Sequence, residues 1–372
     1  MKKLWFLILI VSFSCKEEKI YDPLAQVLQS ELPAIQKIVK NTENYEVQII
    51  YTQIDKDVDG KTKFKDYTFH LNNSNYFYPA STVKLPAAVL ALEFIDSFEG
   101  LSPSTNYTME GDSSHYTVGT DVRQIFAVSD NDAYNRLYEL LGRDAINNSL
   151  RSKGLEPVRI SHRLSTENAN TAQRKPLDFA FGPTLGGVMD KPIQNISMER
   201  MKKGIGFMRN DSLISEPMDF TKKNYFPLET QHNLMKRIFF EENFLETERF
   251  HLSTSSKELL KKAMYTVPRK EGYNEGEFYD SYGKFFIFGT SRGRIQDHIK
   301  IYNKVGYAYG TLTETAYITD EREGVHFLLS ATILVNENGI YNDDVYEYEA
   351  TGLPFLAELG RALYQFELKR IK

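Results

Sequence analysis

The chain has 372 residues, with 45 Lys and Arg against 50 Asp and Glu, and a formal net charge of −5. That balance argues against a nucleic-acid partner, which would favour a basic surface, and the length suffices for one large domain or two lobes around a substantial core. Cys15 is the single cysteine, so an intrachain disulfide and a cysteine-based metal site are excluded.

The N-terminus reads as an export signal. Met1-Lys2-Lys3 is basic, and Leu4 to Val11 is an almost unbroken apolar run that is too short to cross a bilayer as a helix. It ends at Ser12-Phe13-Ser14-Cys15, where a cysteine after small residues resembles a bacterial lipobox. Residues 1–15 are therefore expected to be a signal, with Cys15 the lipid attachment point and residues 16–23 a solvated tether. The mature protein would be an exported lipoprotein, anchored to a membrane in the periplasm or at the cell surface.

Leu24, Val27, Leu28, Leu32, Ile35, Ile38 and Val39 recur at helical spacing and predict one amphipathic helix kinked at Pro33. Two strand-like stretches, 45–54 and 63–71, flank the turn signal Asp57-Val-Asp-Gly60 and predict a hairpin. From Ser81 the pattern turns helical, and helix-like segments continue through 122–141, 234–240 and 257–264. Three consecutive antiparallel strands follow at 299–309, 312–319 and 325–335, and Leu353, Leu356, Leu359, Leu363 and Phe366 form a closing helical stripe.

Strands and helices at both ends, with helices between them, predict a two-lobed α/β (α+β) fold. Residues 24–80 and 285–372 would form a discontinuous lobe, an antiparallel sheet flanked by the terminal helices. Residues 81–284 would form an inserted helical lobe, with an expanded loop at about 165–219 that lacks sustained periodicity and suits either a surface excursion or a substrate lid.

Three short clusters carry chemistry: Ser81-Thr-Val-Lys84, Ser129-Asp130-Asn131 and Lys304-Val305-Gly306. Ser81 stands at a helix start, where its hydroxyl serves either as a nucleophile or as a cap. Spacing of three puts Lys84 on the same face. A serine hydroxyl needs a base to take its proton, and a lysine can be that base once burial or nearby positive charge lowers its pKa. Lys304 can supply such charge. Ser129 would pass a proton to a leaving nitrogen, Asn131 would bond Lys84 and a substrate amide, and Asp130 would hold the loop. Ser-Asp-Asn is also a common turn composition. Gly306 would let a substrate approach the backbone closely. The N–H groups of Tyr307 and Ser81 would then face a tetrahedral oxyanion. A second Ser-x-x-Lys, Ser281 to Lys284, sits among glycines and aromatics and reads as a turn.

In order and context these clusters resemble a class A β-lactamase or a close relative among the penicillin-recognising serine hydrolases. The stretch Lys304-Val-Gly-Tyr-Ala-Tyr-Gly-Thr311 resembles that family's lysine strand. The resemblance covers most of the chain outside 165–219 and implies a β-lactamase-like fold, an acyl-enzyme at Ser81 and no cofactor. Two departures stand out. Val305 occupies a position where the family usually carries a hydroxyl that helps hold the substrate carboxylate. The deacylating Glu of the family has its nearest counterpart in Glu167, after Arg163-Leu164 but one position early, with Glu199 and Glu216 as other candidates.

The resulting expectation is a serine hydrolase, monomeric and metal-free, that hydrolyses β-lactam amides. The alternatives are a penicillin-binding peptidase, transpeptidase or esterase acting on peptidoglycan peptides or esters with slow β-lactam release, and a non-catalytic surface lipoprotein that binds cell-wall fragments.

Overall fold

The computed structural model describes residues 21–371. Cys15, the expected signal and most of the tether lie outside the described residues. Pro33 ends one helix and begins another rather than kinking a single helix. α1 (Pro23–Leu28) is capped by Asp22, which accepts from the Ala25 N–H at 3.0 Å, and α2 (Pro33–Val39) starts on the proline itself. Leu32 is extended between them, because the ring of a following proline disfavours the helical region.

The hairpin forms as the sequence predicts. β1 (Gln48–Lys56) and β2 (Thr62–Phe69) pair from Ile49↔Phe69 to Lys56↔Thr62, and Asp57 accepts from the N–H groups of Asp59 and Lys61 in the turn. β3 (Ile299–Ala308), β4 (Thr311–Asp320) and β5 (Val325–Leu334) complete a five-stranded antiparallel sheet in the order β3-β4-β5-β1-β2. β5 pairs with β1 from Gln48↔Thr332 to Gln53↔Phe327, so the two ends of the chain meet inside one sheet. Gln48 to Ile54 are all buried, as in a central strand covered on both faces.

The helices between β2 and β3 are α3 (Lys84–Asp96), α4 (Val118–Ala127), α5 (Asn131–Leu141), α6 (Arg143–Ser152), α7 (Leu228–Phe239) and α8 (Thr254–Tyr265). The chain closes with α9 (Leu353–Ile371), which packs on β5 and α2, while α7 packs on β1, β4 and β5. Two large apolar clusters dominate the core. One joins Ile49, Tyr51, Phe327 and Leu329 to Phe355 and Leu359, and the other gathers α3, α4, α5, α7 and α8 around Val89, Ile125, Leu137 and Leu234. α3 is buried from Lys84 to Leu92, which suits a helix that is apolar on nearly every side.

The 165–219 segment is built of short ladders. Pro176–Phe179 pairs with Thr184–Gly186 and with the hairpin Asn106–Met109 and Asp112–Thr117. Gly206–Arg209 pairs with Ser212–Ile214 and, in parallel, with Ile340–Tyr341. These strands are only two to six residues long. Runs that short leave little alternation for a sequence reading to find.

Candidate active site

Ser81 lies in a single 3₁₀ turn, Ala80–Val83, that leads into α3 at Lys84. Ala80 has φ +46°, a left-handed conformation uncommon for alanine, directly before the serine. β3 is an edge strand of the sheet, so one row of its backbone groups faces this turn instead of another strand. Gly306 sets the approach. A Cβ there would lie 2.5 Å from the Pro79 carbonyl oxygen and 3.0 Å from the Ser81 and Thr82 nitrogens. The space that Gly306 frees is thus filled by the serine's own turn, where the sequence reading assigns it to a substrate. Tyr307 follows on the same edge, 45% exposed at the cavity wall.

The Ser129-Asp130-Asn131 cluster interrupts what the sequence presents as one helical stretch, 122–141. Ser129 has φ +56° and turns the chain between α4 and α5. Asp130 caps α5, accepting from the Ala133 N–H at 2.7 Å, as its expected loop-holding place requires. The turn aims Ser129 at both active-site lysines. Lys84 Nζ donates to Asn131 Oδ1 at 2.7 Å and lies 3.3 Å from Ser129 Oγ. It also donates to the Ser129 carbonyl oxygen. Lys304 Nζ donates to the same Ser129 hydroxyl at 2.9 Å and to its neighbour's carbonyl, Val305 O, at 2.9 Å.

Burial pushes Lys84 down to about 7, while Asp130 and Asp132 pull the other way. Burial also holds Lys304 well below the ordinary lysine range, and the charges of Lys84 and Lys284 add to that effect against Glu314. Both shifts run toward the neutral amine, and both amines contact the one Ser129 hydroxyl.

Ser81, Ser129, Asn131 and Tyr307 line one cavity of about 770 Å³, and the two lysines sit behind Ser129. Glu167 does not line the cavity of Ser81. It is exposed and lines a second cavity of about 690 Å³ with Asp132, Arg136 and Glu139; Arg163 and Thr166 border both cavities. Arg163 anchors the intervening segment, with Nε 2.5 Å from Glu139 Oε1 and Nη1 donating to Thr171 O at 3.0 Å. Glu199 and Glu216 are exposed and line neither cavity.

The sequence reading passes over two further features. His162 borders the serine cavity and stacks on Tyr78 at 6.3 Å. Its Nδ1 is 2.5 Å from the Arg163 carbonyl, which can only accept, so Nδ1 carries the proton and Nε2 is left as a buried lone pair. Burial pushes this ring down to about 4. The single sequence signal for it is its place beside Arg163-Leu164. The second feature is Lys284, whose Nζ donates to Met264 O at 2.6 Å, Ile301 O at 2.9 Å and Asn303 Oδ1 at 2.5 Å. Glu314 accepts from the Phe286 N–H at 2.6 Å beside it, and burial pushes that carboxyl up to about 8. The second Ser-x-x-Lys thus ties loop to sheet. Among the described residues, no cluster of three or more His, Cys, Asp or Glu is arranged to hold a metal ion.

The model of the β-lactamase enzyme family matches residues 33–218. No curated protein matches the chain in sequence. Among solved structures, the TLA-1 extended-spectrum β-lactamase superposes with a TM-score of 0.56 at 13% identity, covering 93% of this chain and 100% of its own. A class A β-lactamase from Bacteroides cellulosilyticus superposes with a TM-score of 0.54 at 12% identity, covering 92% of this chain and 97% of its own. A point mutant of PBP-A, solved as an acyl-enzyme complex with penicillin G, superposes with a TM-score of 0.51 at 15% identity, covering 93% of this chain and 96% of its own. At these identities the likeness is one of fold.

Proposed function

Because the chain belongs to the β-lactamase enzyme family, we propose that it is a serine hydrolase that forms an acyl-enzyme at Ser81 with β-lactam amides. The observation that carries this reading is the Ser129 hydroxyl, 2.9 Å from Lys304 Nζ and 3.3 Å from Lys84 Nζ, on the wall of the cavity that Ser81 also lines. Neutral Lys84 takes the proton of Ser81 as Oγ adds to the carbonyl carbon. In the resting arrangement Lys84 is turned to Ser129 and Asn131, so this transfer needs the amine to swing or the proton to pass through Ser129; such contacts tighten when substrate binds.

The oxyanion faces the N–H groups of Ser81 and Tyr307. Ser129 gives its proton to the departing nitrogen and regains one from the lysines. Water then adds to the ester, Ser81 leaves with its proton restored, and the acid product departs. Hydrolysis of a chromogenic cephalosporin by the purified protein, abolished in Ser81→Ala, is the expected outcome; hydrolysis unchanged in that variant would overturn the reading.

The position of Glu167 favours a second reading. With that carboxylate in the neighbouring cavity, deacylation lacks its expected base, and the same acylation machinery then suits a peptidase, transpeptidase or esterase that releases β-lactams slowly. Rapid turnover of several β-lactams would remove this second reading. Residues 1–15 support export and a lipid on Cys15. Partition of the mature protein into detergent, lost in Cys15→Ala, tests that assignment.

A further inference from the structure

The cavity holds a cation that the chemistry above does not use. Lys223 is partly buried on its wall, and its ammonium makes no hydrogen bond or ion pair among the described residues. The other basic groups of the site are engaged: Lys84 and Lys304 by Ser129, and Arg163 by Glu139.

The backbone that carries Lys223 is held rigidly. Arg159 donates to the carbonyls of Thr221 and Lys223, and the Tyr76 hydroxyl donates to Asn224 O at 2.9 Å. Asn224 Oδ1 accepts from the N–H groups of Ser161 and His162 at 2.7 and 3.2 Å. Lys223 is therefore presented beside His162, whose ring feels its charge, and it shares none of the hydrogen bonds that hold the two lysines behind Ser129. Burial lowers the Lys223 pKa. A desolvated ammonium on a fixed backbone gains from an anion that enters with the substrate.

The leaving group must lie near Ser129, which protonates it. The part of the substrate that stays on Ser81 is directed away from Ser129, and Lys223 lines the cavity beside His162, outside the hydrogen-bonded group at Ser129. Resting on the acylation reading above, we infer that Lys223 recognises a carboxylate on the acyl portion of the substrate, and so selects anionic acyl donors.

The test compares benzylpenicillin with its α-carboxy analogue, which differ by one carboxylate on the acyl side chain. Second-order acylation rates are measured for the unmodified protein and for Lys223→Ala, Lys223→Arg and Lys223→Glu. The expected result is a preference for the carboxylated compound of about tenfold, the scale of a partly solvated charged hydrogen bond. That preference weakens with salt, disappears in the alanine variant, persists in the arginine variant and inverts in the glutamate variant. A ratio unchanged in the alanine and glutamate variants, with acylation intact, overturns the proposal. Absence of both an adduct on Ser81 and hydrolysed product with either compound overturns the acylation reading itself, and this proposal with it.

Discussion

Gly306→Ala isolates the contact on which the site's geometry depends. Gly306 is not in the left-handed region, so alanine brings no backbone strain, and the effect comes from one methyl group. That methyl would stand 2.5 Å from the Pro79 carbonyl oxygen, where ordinary contact begins at 3.4 Å, so strand and turn must part by about 0.9 Å. Both sides are backbone, so no side chain can rotate out of the way. Overpacking of this kind costs about 1–3 kcal/mol.

The same displacement moves the Ser81 N–H and hydroxyl relative to Tyr307 and Ser129. A misplacement near 1 Å lowers a rate by about 100-fold. The variant should therefore fold with a reduced thermal midpoint and acylate about 100-fold more slowly, measured as the second-order rate with a chromogenic cephalosporin. Acylation at the unmodified rate in a folded Gly306→Ala protein would refute the reasoning, because the nucleophile turn would then not depend on the approach of β3.

Acylation should rise with pH and reach half its maximum near pH 7, because burial places Lys84 at about 7 and only the unprotonated amine can accept the Ser81 proton; a pH–rate profile checks this. Ser129→Ala removes the shared acceptor of both lysines, and acylation should fall by about 100-fold or more in the same assay. Glu167→Gln should change the deacylation rate less than about twofold, since the side chain lines the neighbouring cavity and a general base must come within hydrogen-bond reach of its water. Lys284→Met leaves Met264 O, Ile301 O and Asn303 Oδ1 without their donor. With each orphaned group costing about 1–3 kcal/mol, denaturant unfolding should show a loss of about 3 kcal/mol or more.

What the sequence made legible was what periodicity and spacing encode. The hairpin, the three C-terminal strands and the closing helix follow from alternation and apolar stripes, the discontinuous α/β arrangement follows from their order, and the β-lactamase-like fold is what the resemblance of the three clusters implies. The three clusters came together because each carries a local backbone reason to present its side chain: a 3₁₀ turn at Ser81, a left-handed residue at Ser129 and an edge strand at Lys304. The division of the first helix at Pro33 and of 122–141 at Ser129 is hidden from a sequence reading, since an apolar stripe can continue in phase across a short break. So are the ladders between 165 and 219, whose pairing is set by partners far along the chain, as with Gly206 and Ile340. Lys223 gives no signal as a single residue, and His162 only its place beside Arg163-Leu164. Their significance lies in what they lack, an anion for the ammonium and a donor for Nε2, and such a lack emerges only when the neighbours are placed.

The proposed chemistry rests on acylation of Ser81. Incubating the protein with benzylpenicillin, quenching in acid and mapping the adduct by peptide mass spectrometry tests it most directly. The expected result is a penicilloyl group on the peptide that contains Ser81, and none in Ser81→Ala. A protein that neither carries the adduct nor releases hydrolysed product, or that carries the adduct at another residue such as Ser281, would overturn the assignment.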